Sequence, residues 1–186
     1  MVKIMNLTEK QLEKNYIFEG KIIKVRKDTA LLPNGTTAIR EVVEHNGGVC
    51  VAPLTDNDEL IFVKQFRYPY MEEIFELPAG KRDSATENPE SCGMRELREE
   101  TGATTDKLIP LGELYPTPGY CGEIIWMYLA TNLSYGECDP DEDEFLEVYK
   151  IPLKNAVEMV MNGKIKDAKT QTAVLKIKYL KDNGKI

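Results

Sequence analysis

Three glutamates within five residues are the part of this 186-residue sequence best suited to chemistry. Glu96, Glu99 and Glu100 lie in a segment predicted to be a helix, which begins after Asn88 and ends at Gly102. At roughly 100° per residue, the three side chains fall within an arc of about 100°. Like charges at this spacing destabilise a helix, and a divalent cation such as Mg²⁺ would offset the repulsion because hard cations bind carboxylate oxygens.

The same residues allow a simpler interpretation, in which they form a charged face in contact with water. Charge runs on helices are usually solvated. Arg95 also lies four positions before Glu99, which is the spacing of an ordinary ion pair on a helix. The glutamates taken alone leave both interpretations open.

The residues around the glutamates favour metal binding. Residues 80–103 read GKRDSATENPESCGMRELREETGA. This stretch resembles the Nudix box, in which a glycine loop and a glutamate precede Arg-Glu, an aliphatic residue, any residue, Glu-Glu, any residue and Gly. Glu87 stands eight positions before Arg95, as in that family, whereas the loop between Gly80 and Glu87 is one residue longer than in the usual box.

The resemblance implies a hydrolase of nucleoside diphosphates linked to another moiety, with Mg²⁺, or alternatively Mn²⁺, as the cofactor. It also implies an α+β fold, built as an α/β/α sandwich around a mixed sheet. Glu87 and Arg95 would pair to hold the glycine loop on the helix. The implied metal ligands are the carbonyl of Ala79, Glu96, Glu100 and, directly or through water, Glu99.

Regions outside the box resemble the ADP-ribose pyrophosphatase branch of that family, over about residues 16–175. They are residues 32–45, 63–81 and 163–170, together with Pro118, which lies fifteen positions after Ala103. The resemblance implies cleavage of ADP-ribose to AMP and ribose 5-phosphate by a homodimer. Two alternatives stay open: a pyrophosphatase of other nucleoside diphosphate sugars such as GDP-mannose, and a non-catalytic Nudix fold that senses a nucleotide.

Two residues before the box are candidates for substrate contacts, each with a plainer alternative. The planar guanidinium of Arg67 suits bidentate contact with a diphosphate. Its plainer alternative is a surface ion pair with Glu72 or Glu73, since such pairs are common and weak. Glu76 could accept a hydrogen bond from a ribose hydroxyl or brace the loop that follows it. The sequence leaves these alternatives open.

Four further substrate candidates lie nearer the N-terminus or after the box. Arg40 and Glu41 could reach the edge of an adenine, or they could form a salt bridge at a strand edge. Pro118 and Glu123 occupy positions that resemble a distinguishing proline and an acidic loop residue of the branch.

The acidic segment CDPDEDE at residues 138–144 is a candidate source of a general base. Its composition is typical of a flexible surface loop. In the resembled branch, a glutamate on the corresponding loop acts as general base, so Glu144 is our first candidate and Glu142 our second. Neighbouring negative charge would raise the pKa of such a carboxylate toward neutrality, as a base requires.

The elements that must position these residues are strands with few helices between and after them, which is typical of a mixed α+β sandwich. We expect residues 1–45 to form an arm that contacts a second subunit, and residues 46–186 to form the hydrolase domain. The predicted strands cover residues 18–26, 38–44, 48–54, 59–66, 74–77, 111–114, 124–130 and 145–151, with 48–54 and 59–66 forming a hairpin. The predicted helices cover 89–101, 153–162 and 168–181.

Composition restricts the partners and the compartment. The net charge of −7, from 31 acidic and 24 basic residues, disfavours non-specific binding of nucleic acids. Four cysteines without a Cys-x-x-Cys pair, and His45 as the one histidine, argue against structural zinc and a disulfide framework. The sequence lacks an apolar stretch long enough for a secretory signal or a membrane span, so we expect a cytoplasmic protein with no membrane partner.

Overall fold

The computed structural model describes residues 6–140 and 144–186, which divide into two compact units. The smaller unit contains the described residues up to Asn46 together with Thr117–Glu123. The larger unit contains Gly47–Pro116 and the described residues from Ile124 to Ile186.

A four-stranded antiparallel sheet forms the smaller unit, with β3 paired to each of the other strands. A single predicted strand over residues 18–26 is wrong, because the chain turns at Gly20, whose backbone N–H donates to the carbonyl of Ile23. Residues 10–13 form a strand that the sequence did not predict. The strands are β1 (Lys10–Glu13), β2 (Tyr16–Glu19), β3 (Lys24–Leu31) and β4 (Thr37–Glu44).

The larger unit contains two main sheets and a short ribbon. The first sheet has the order β10-β11-β5-β8, in which β11 and β5 are parallel and the other pairs are antiparallel. The second sheet is antiparallel with the order β13-β6-β7, and β12 pairs with β9. The strands are β5 (Gly48–Pro53), β6 (Glu59–Arg67), β7 (Glu72–Glu76), β8 (Ala79–Lys81), β9 (Ala103–Thr104), β10 (Leu108–Leu114), β11 (Ile125–Ala130), β12 (Ser134–Tyr135) and β13 (Leu146–Pro152).

The predicted hairpin of residues 48–54 and 59–66 is wrong. β5 lies between β11 and β8, whereas β6 lies between β13 and β7, so the two strands belong to different sheets. Near the turn they share an isolated bridge between Leu54 and Leu60. Every residue of β5 and the centre of β6 are buried. Strands buried on both faces need a packed layer on each face, which a two-stranded hairpin on its own does not supply.

Three helices cover the sheets of the larger unit: α1 (Pro89–Thr101), α2 (Leu153–Met161) and α3 (Ala168–Asp182). α1 begins and ends as predicted, because the Asn88 side chain accepts hydrogen bonds from two backbone N–H groups of the first turn and Gly102 adopts a φ of +67°. In the described chain, none of these helices combines the length and apolar character that crossing a membrane requires.

The core of the larger unit lies on both faces of β5. Cys50 and Ala52 pack in a cluster with buried residues of α2 and α3, whereas Val49 and Val51 pack in a second cluster with Cys92 and Leu97 of α1. The sheet layer therefore has α1 on one side and α2 with α3 on the other. This arrangement confirms the predicted α+β class and its three layers, and it fixes which face of α1 turns inward.

Candidate active site

The three glutamates of α1 differ in their surroundings. Glu96 and Glu100 are buried, with relative exposures of 7% and 2%, whereas Glu99 is half-buried. Leu97 and Cys92 on the same helix are fully buried in the core, which holds the rotation of α1. A solvated charged face therefore does not describe Glu96 or Glu100.

Both buried carboxylates meet the chain at Pro78, Ala79 and Gly80, which we call the 78–80 corner. The backbone N–H of Ala79 donates to Glu100 Oε2 at 3.0 Å. A Cβ on Gly80 would overlap the carboxylate of Glu96, so any larger residue here would force that side chain to move. Strand pairing with β5, at Cys50 opposite Ala79, holds the corner against the sheet.

Arg95 is surrounded by carboxylates. Its Nη1 lies 2.8 Å from Glu96 Oε1 and 2.9 Å from Glu99 Oε2, and its Nη2 lies 3.6 Å from Glu87 Oε1. Glu87 Oε2 also accepts a hydrogen bond of 2.7 Å from the backbone N–H of Asp83. The Glu87–Arg95 contact thus joins the glycine loop to α1, and one guanidinium faces three carboxylates.

Arg82 closes the glycine loop, and the sequence analysis did not single it out. Its Nε donates to the carbonyl of Glu87 at 2.9 Å, and its Nη2 donates to the carbonyl of Ala85 at 2.6 Å. The guanidinium also lies 4.7 Å from the centre of the Trp126 ring, which suits a cation–π contact. This buried side chain therefore ties together the carbonyls of Ala85 and Glu87 in the loop.

Burial raises the pKa of both inward-facing glutamates. For Glu96 the pKa rises to about 7, against the opposing charge of Arg95 and with help from the charges of Glu144 and Glu99. For Glu100 it rises to about 8, against the hydrogen bond from Ala79 and with help from the charges of Glu96 and Glu144. A cation bound at these oxygens would favour the ionised form of each carboxyl.

The donor atoms of the site fit a divalent cation that is shared with a substrate. Within residues 6–140 and 144–186, no three side chains of His, Cys, Asp or Glu converge on a common metal position. Mg²⁺ usually takes only one or two protein carboxylates and completes its shell with water and phosphate oxygens. Glu96 and Glu100 offer hard carboxylate oxygens beside Gly80 and Ala79 of the 78–80 corner. Both carboxylate oxygens of Glu99 are in ion pairs, Oε2 with Arg95 and Oε1 with Arg98.

The start of the acidic segment and the residues before it are attached to the end of α1. The backbone N–H of Gly136 donates to the carbonyl of Gly102 at 2.7 Å, and that of Asp139 donates to the carbonyl of Glu99 at 3.0 Å. A Cβ on Gly102 would lie 2.5 Å from the Gly136 carbonyl oxygen, so this position needs glycine for its close approach as well as for its positive φ. A surface cavity of about 580 Å³ lies between these segments.

The structure describes only one of the two candidates for the general base. Glu142 lies outside the described residues. Glu144 is exposed just before β13, and its charge acts on the pKa of Glu96 and of Glu100. Glu144 is therefore near enough to the buried carboxylates to influence them electrostatically.

Arg67 pairs with Glu76, not with Glu72 or Glu73 as its plainer alternative proposed. Arg67 Nε and Nη2 lie 2.9 Å and 2.5 Å from Glu76 Oε2. Glu72 and Glu73 instead pair with Lys166 and Lys64, respectively. The physical reason is burial, because Glu76 is only 3% exposed and a buried carboxylate requires a cationic partner.

Glu76 also contacts the start of α3. Its Oε1 lies 3.1 Å from Lys169 Nζ, and its Oε2 accepts a further hydrogen bond of 3.0 Å from Gln65. With both oxygens engaged in the interior, Glu76 suits the bracing role better than contact with a ribose hydroxyl. Arg67 keeps 38% of its side chain exposed, although its Nε and Nη2 are engaged by Glu76.

Four substrate candidates belong to the smaller unit. Arg40 pairs with Glu9 at 2.6 Å, which is the salt-bridge arrangement of its two alternatives. Glu41 and Pro118 are exposed, and Glu123 Oε1 lies 3.4 Å from His45 Nδ1. The segment Thr117–Glu123 is attached to β4 through hydrogen bonds of Val43 with Tyr120 and Gly122.

Two family profiles together match most of the chain. The NUDIX domain matches residues 44–172. A family described as the nucleoside diphosphate sugar hydrolase N-terminal domain matches residues 9–43.

Several characterised proteins resemble the chain along most of its length. An ADP-ribose pyrophosphatase of Bacillus subtilis (strain 168) is 43% identical over 91% of this chain and 92% of its own length. A methanol dehydrogenase activator of Bacillus methanolicus is 38% identical over 89% and 90%. A GDP-mannose pyrophosphatase of Yersinia enterocolitica serotype O:8 / biotype 1B (strain NCTC 13174 / 8081) is 34% identical over 98% and 97%.

A solved structure has the same fold. The crystal structure of an ADP compounds hydrolase superimposes with a TM-score of 0.82, covering 97% of this chain and 99% of the other, at 21% sequence identity. At that identity the likeness concerns the fold alone. It confirms the sandwich architecture that the sequence predicted.

Proposed function

The chain belongs to the Nudix hydrolase family, and we propose that it hydrolyses the diphosphate bond of ADP-ribose to give AMP and ribose 5-phosphate. The observation that carries this proposal is the pair of buried carboxylates, Glu96 and Glu100, that meets the 78–80 corner. The similarity to the Bacillus subtilis ADP-ribose pyrophosphatase supports the choice of substrate.

The same residues are proposed to hold the cofactor. Glu96, Glu100 and the Ala79 carbonyl would bind Mg²⁺, or alternatively Mn²⁺, with Glu99 acting directly or through water. When bound, such a cation offsets the charge of the diphosphate and makes the attacking water more acidic. Arg95 and Glu87 hold the glycine loop against α1, so that the ligand oxygens keep their places.

The reaction forms a bond between a water oxygen and one phosphorus and breaks the bond from that phosphorus to the bridging oxygen. Arg67, held by Glu76 and partly exposed along its side chain, would orient the diphosphate. Glu144 would accept the proton that the water loses, with Glu142 as the second candidate. The bridging oxygen leaves as part of the second phosphate product.

The smaller unit is proposed to supply the remaining substrate contacts within a homodimer. Arg40, Glu41, Pro118 and Glu123 are its candidates for contact with the nucleotide. Residues 1–45 would contact the second subunit, and the match of residues 9–43 to a domain of nucleoside diphosphate sugar hydrolases supports a dedicated role for this arm. We propose a cytoplasmic enzyme without nucleic-acid or membrane partners.

Exposed apolar side chains on the smaller unit support the dimer. Ile17, Phe18 and Ile39 are exposed by 63%, 55% and 51%. Light scattering should give twice the chain mass for the intact protein, and Ile17→Glu should shift it toward the monomer because a charge cannot be buried unpaired. A monomeric intact protein would contradict this part of the proposal.

Hydrolysis of GDP-mannose is the second candidate, and the resemblance to the Yersinia enterocolitica GDP-mannose pyrophosphatase favours it. The test is a panel of ADP-ribose, ADP-glucose, GDP-mannose, NADH and diadenosine polyphosphates with Mg²⁺, followed by phosphate release with a coupled phosphatase. We expect the highest kcat/KM with ADP-ribose. A higher value with GDP-mannose would overturn the substrate assignment, and no hydrolysis of any of them would support a nucleotide sensor.

A further inference from the structure

We propose that Thr170 and Lys169, at the start of α3, are positioning residues that hold the 78–80 corner against the glutamates of α1. This inference rests on the proposed function, because it assigns these residues an effect on metal binding and turnover. Neither residue contacts Glu96 or Glu100 through any hydrogen bond or ion pair that the described residues show. Their effect would be transmitted through the backbone that leads to Ala79.

The first link is a buried hydrogen bond between distant parts of the chain. The backbone N–H of Leu77 donates to Thr170 Oγ1 at 2.9 Å, and both residues have no exposed surface. A backbone N–H at such a place must find a partner inside the protein, because leaving it unpaired is costly. Leu77 is two positions before Ala79, so the threonine hydroxyl determines where the backbone enters the corner.

The second link is a buried ion pair one residue earlier. Lys169 Nζ lies 3.1 Å from Glu76 Oε1 and 3.0 Å from Asp167 Oδ1, and Lys169 is only 8% exposed. Burial lowers the pKa of this lysine, but the charges of Glu76 and Asp167 outweigh burial and raise it, which keeps the ammonium charged. Glu76 is therefore held between Lys169 on one side and Arg67 on the other.

The start of α3 is itself firmly placed. Asp167 caps the helix, since its Oδ2 accepts a hydrogen bond of 2.9 Å from the backbone N–H of Thr170. Ala173, Val174 and Ile177 on the same helix have no exposed surface and pack in the core. Thr170 and Lys169 thus lie at the start of a helix whose position is fixed by its cap and by core packing.

The corner is consequently held from two directions. On the α3 side, Glu76 and Leu77 are bound by Lys169 and Thr170. On the α1 side, the Ala79 N–H is bound by Glu100. The sheet adds a further contact, since the backbone N–H of Val51 in β5 donates to the carbonyl of Pro78 at 2.8 Å. Loss of the α3 contacts would let the Ala79 carbonyl shift relative to the carboxylates, and outer contacts of this kind typically change metal affinity or activity by about 10- to 100-fold.

Thr170→Val in the full-length chain tests the first link, because valine has a similar shape but offers no acceptor to Leu77. We expect about tenfold weaker Mn²⁺ binding without substrate, measured by electron paramagnetic resonance of free Mn²⁺, and a comparable loss of kcat with little change in KM. Thr170→Ser should restore both. Thr172→Val is the matched control, since the Thr172 hydroxyl donates within α3, to the Ala168 carbonyl.

Lys169→Met tests the second link, with Lys166→Met as its matched control. Both lysines pair with a glutamate of β7, but Lys166 and its partner Glu72 are exposed. We expect Lys169→Met to weaken Mn²⁺ binding in the same way and Lys166→Met to behave as wild type. If Lys169→Met fails to fold, the Thr170→Val and Thr170→Ser variants still test the inference.

The outcomes separate this inference from the proposed function. If wild type binds Mn²⁺ and hydrolyses ADP-ribose while Thr170→Val has a lower melting temperature but unchanged Mn²⁺ affinity and kcat, the threonine is merely structural and the inference is overturned. If wild type neither binds Mn²⁺ nor hydrolyses any nucleotide sugar, the proposed function fails and the inference fails with it.

Discussion

Two charged clusters flank the 78–80 corner, and they differ in their balance of charge. On the α1 side, Arg95 faces three carboxylates, Arg98 reaches one of them, Glu99, and Glu100 has a backbone N–H as its donor. On the α3 side, Glu76 is met by two cations, Arg67 and Lys169. The α1 cluster has more carboxylates than cations. In the α3 cluster, the cations of the chain balance the carboxylates.

This difference in charge balance indicates a different role for each cluster. A buried carboxylate whose partners are already present can serve as a fixed structural contact. Burial raises the pKa values of Glu96 and Glu100, and the partners that the chain supplies, Arg95 for Glu96 and the Ala79 N–H for Glu100, do not offset it. Such carboxylates gain most from a cation supplied from outside. We infer that α1 provides the site and α3 the support.

The largest effect is expected where a charge is removed from the α1 cluster. Glu100→Gln should lower turnover by about a thousandfold or more, because a metal contributes several kcal/mol to the transition state and about 1.4 kcal/mol is tenfold in rate. The fold should survive, as a melting curve would show. Glu90→Gln, at an exposed position on the same helix, is the control. A turnover within a few-fold of wild type would refute the role of Glu100.

A smaller effect is expected from the proposed general base. Glu144→Gln should reduce kcat by about a hundredfold, the lower end for loss of general base catalysis, while Mn²⁺ affinity stays close to wild type. Steady-state kinetics together with Mn²⁺ titration would separate the two effects. If Glu142→Gln gives this result and Glu144→Gln does not, the order of the candidates is reversed.

The close approach at the corner gives a third test. Gly80→Ala places a methyl group where the Glu96 carboxylate lies, so that side chain must move. We expect a loss of tens of fold in kcat, because displacements of about 1 Å at a reacting centre are costly. Gly119→Ala is the control, since a Cβ there meets nothing within 4 Å. Equal activity of the two variants would show that the position of Glu96 is not critical.

The smallest effect concerns stability and pH. The folded-state pKa values of Glu96 and Glu100, about 7 and about 8, lie above the ordinary value of 4.5. Between these values the folded state holds protons that the unfolded state has released, so stability falls as pH rises. Melting temperature in EDTA should therefore decrease from about pH 5 to about pH 8, and Mg²⁺ should raise it more at pH 8 than at pH 6. A melting temperature in EDTA that rises through this range would contradict the assignment.

The parts of the structure that depend on local signals could be predicted from the sequence. The bounds of α1 follow from the cap at Asn88 and the left-handed Gly102, which act within one turn of the helix. The glutamates of that helix were recognised from their fixed spacing. Their burial depends on how α1 packs against β5, which the pattern on the helix alone does not determine.

The parts that depend on distant residues could not be predicted. The pairing of β5 and β6 was misassigned because both are continuous apolar runs, and such runs do not specify their neighbours. Lys169 lies 93 positions from Glu76, so no spacing rule connects them. The partner of Arg67 was missed for a related reason, since only burial distinguishes Glu76 from the exposed Glu72 and Glu73.

Anomalous diffraction from crystals soaked in Mn²⁺ tests the central claim most directly, because it locates the cation without reference to activity. A peak within bonding distance of the Glu96 and Glu100 carboxylates and the Ala79 carbonyl is the expected result. Crystals that bind Mn²⁺ elsewhere, or show no peak beside α1, would contradict the assignment of these residues as the metal site.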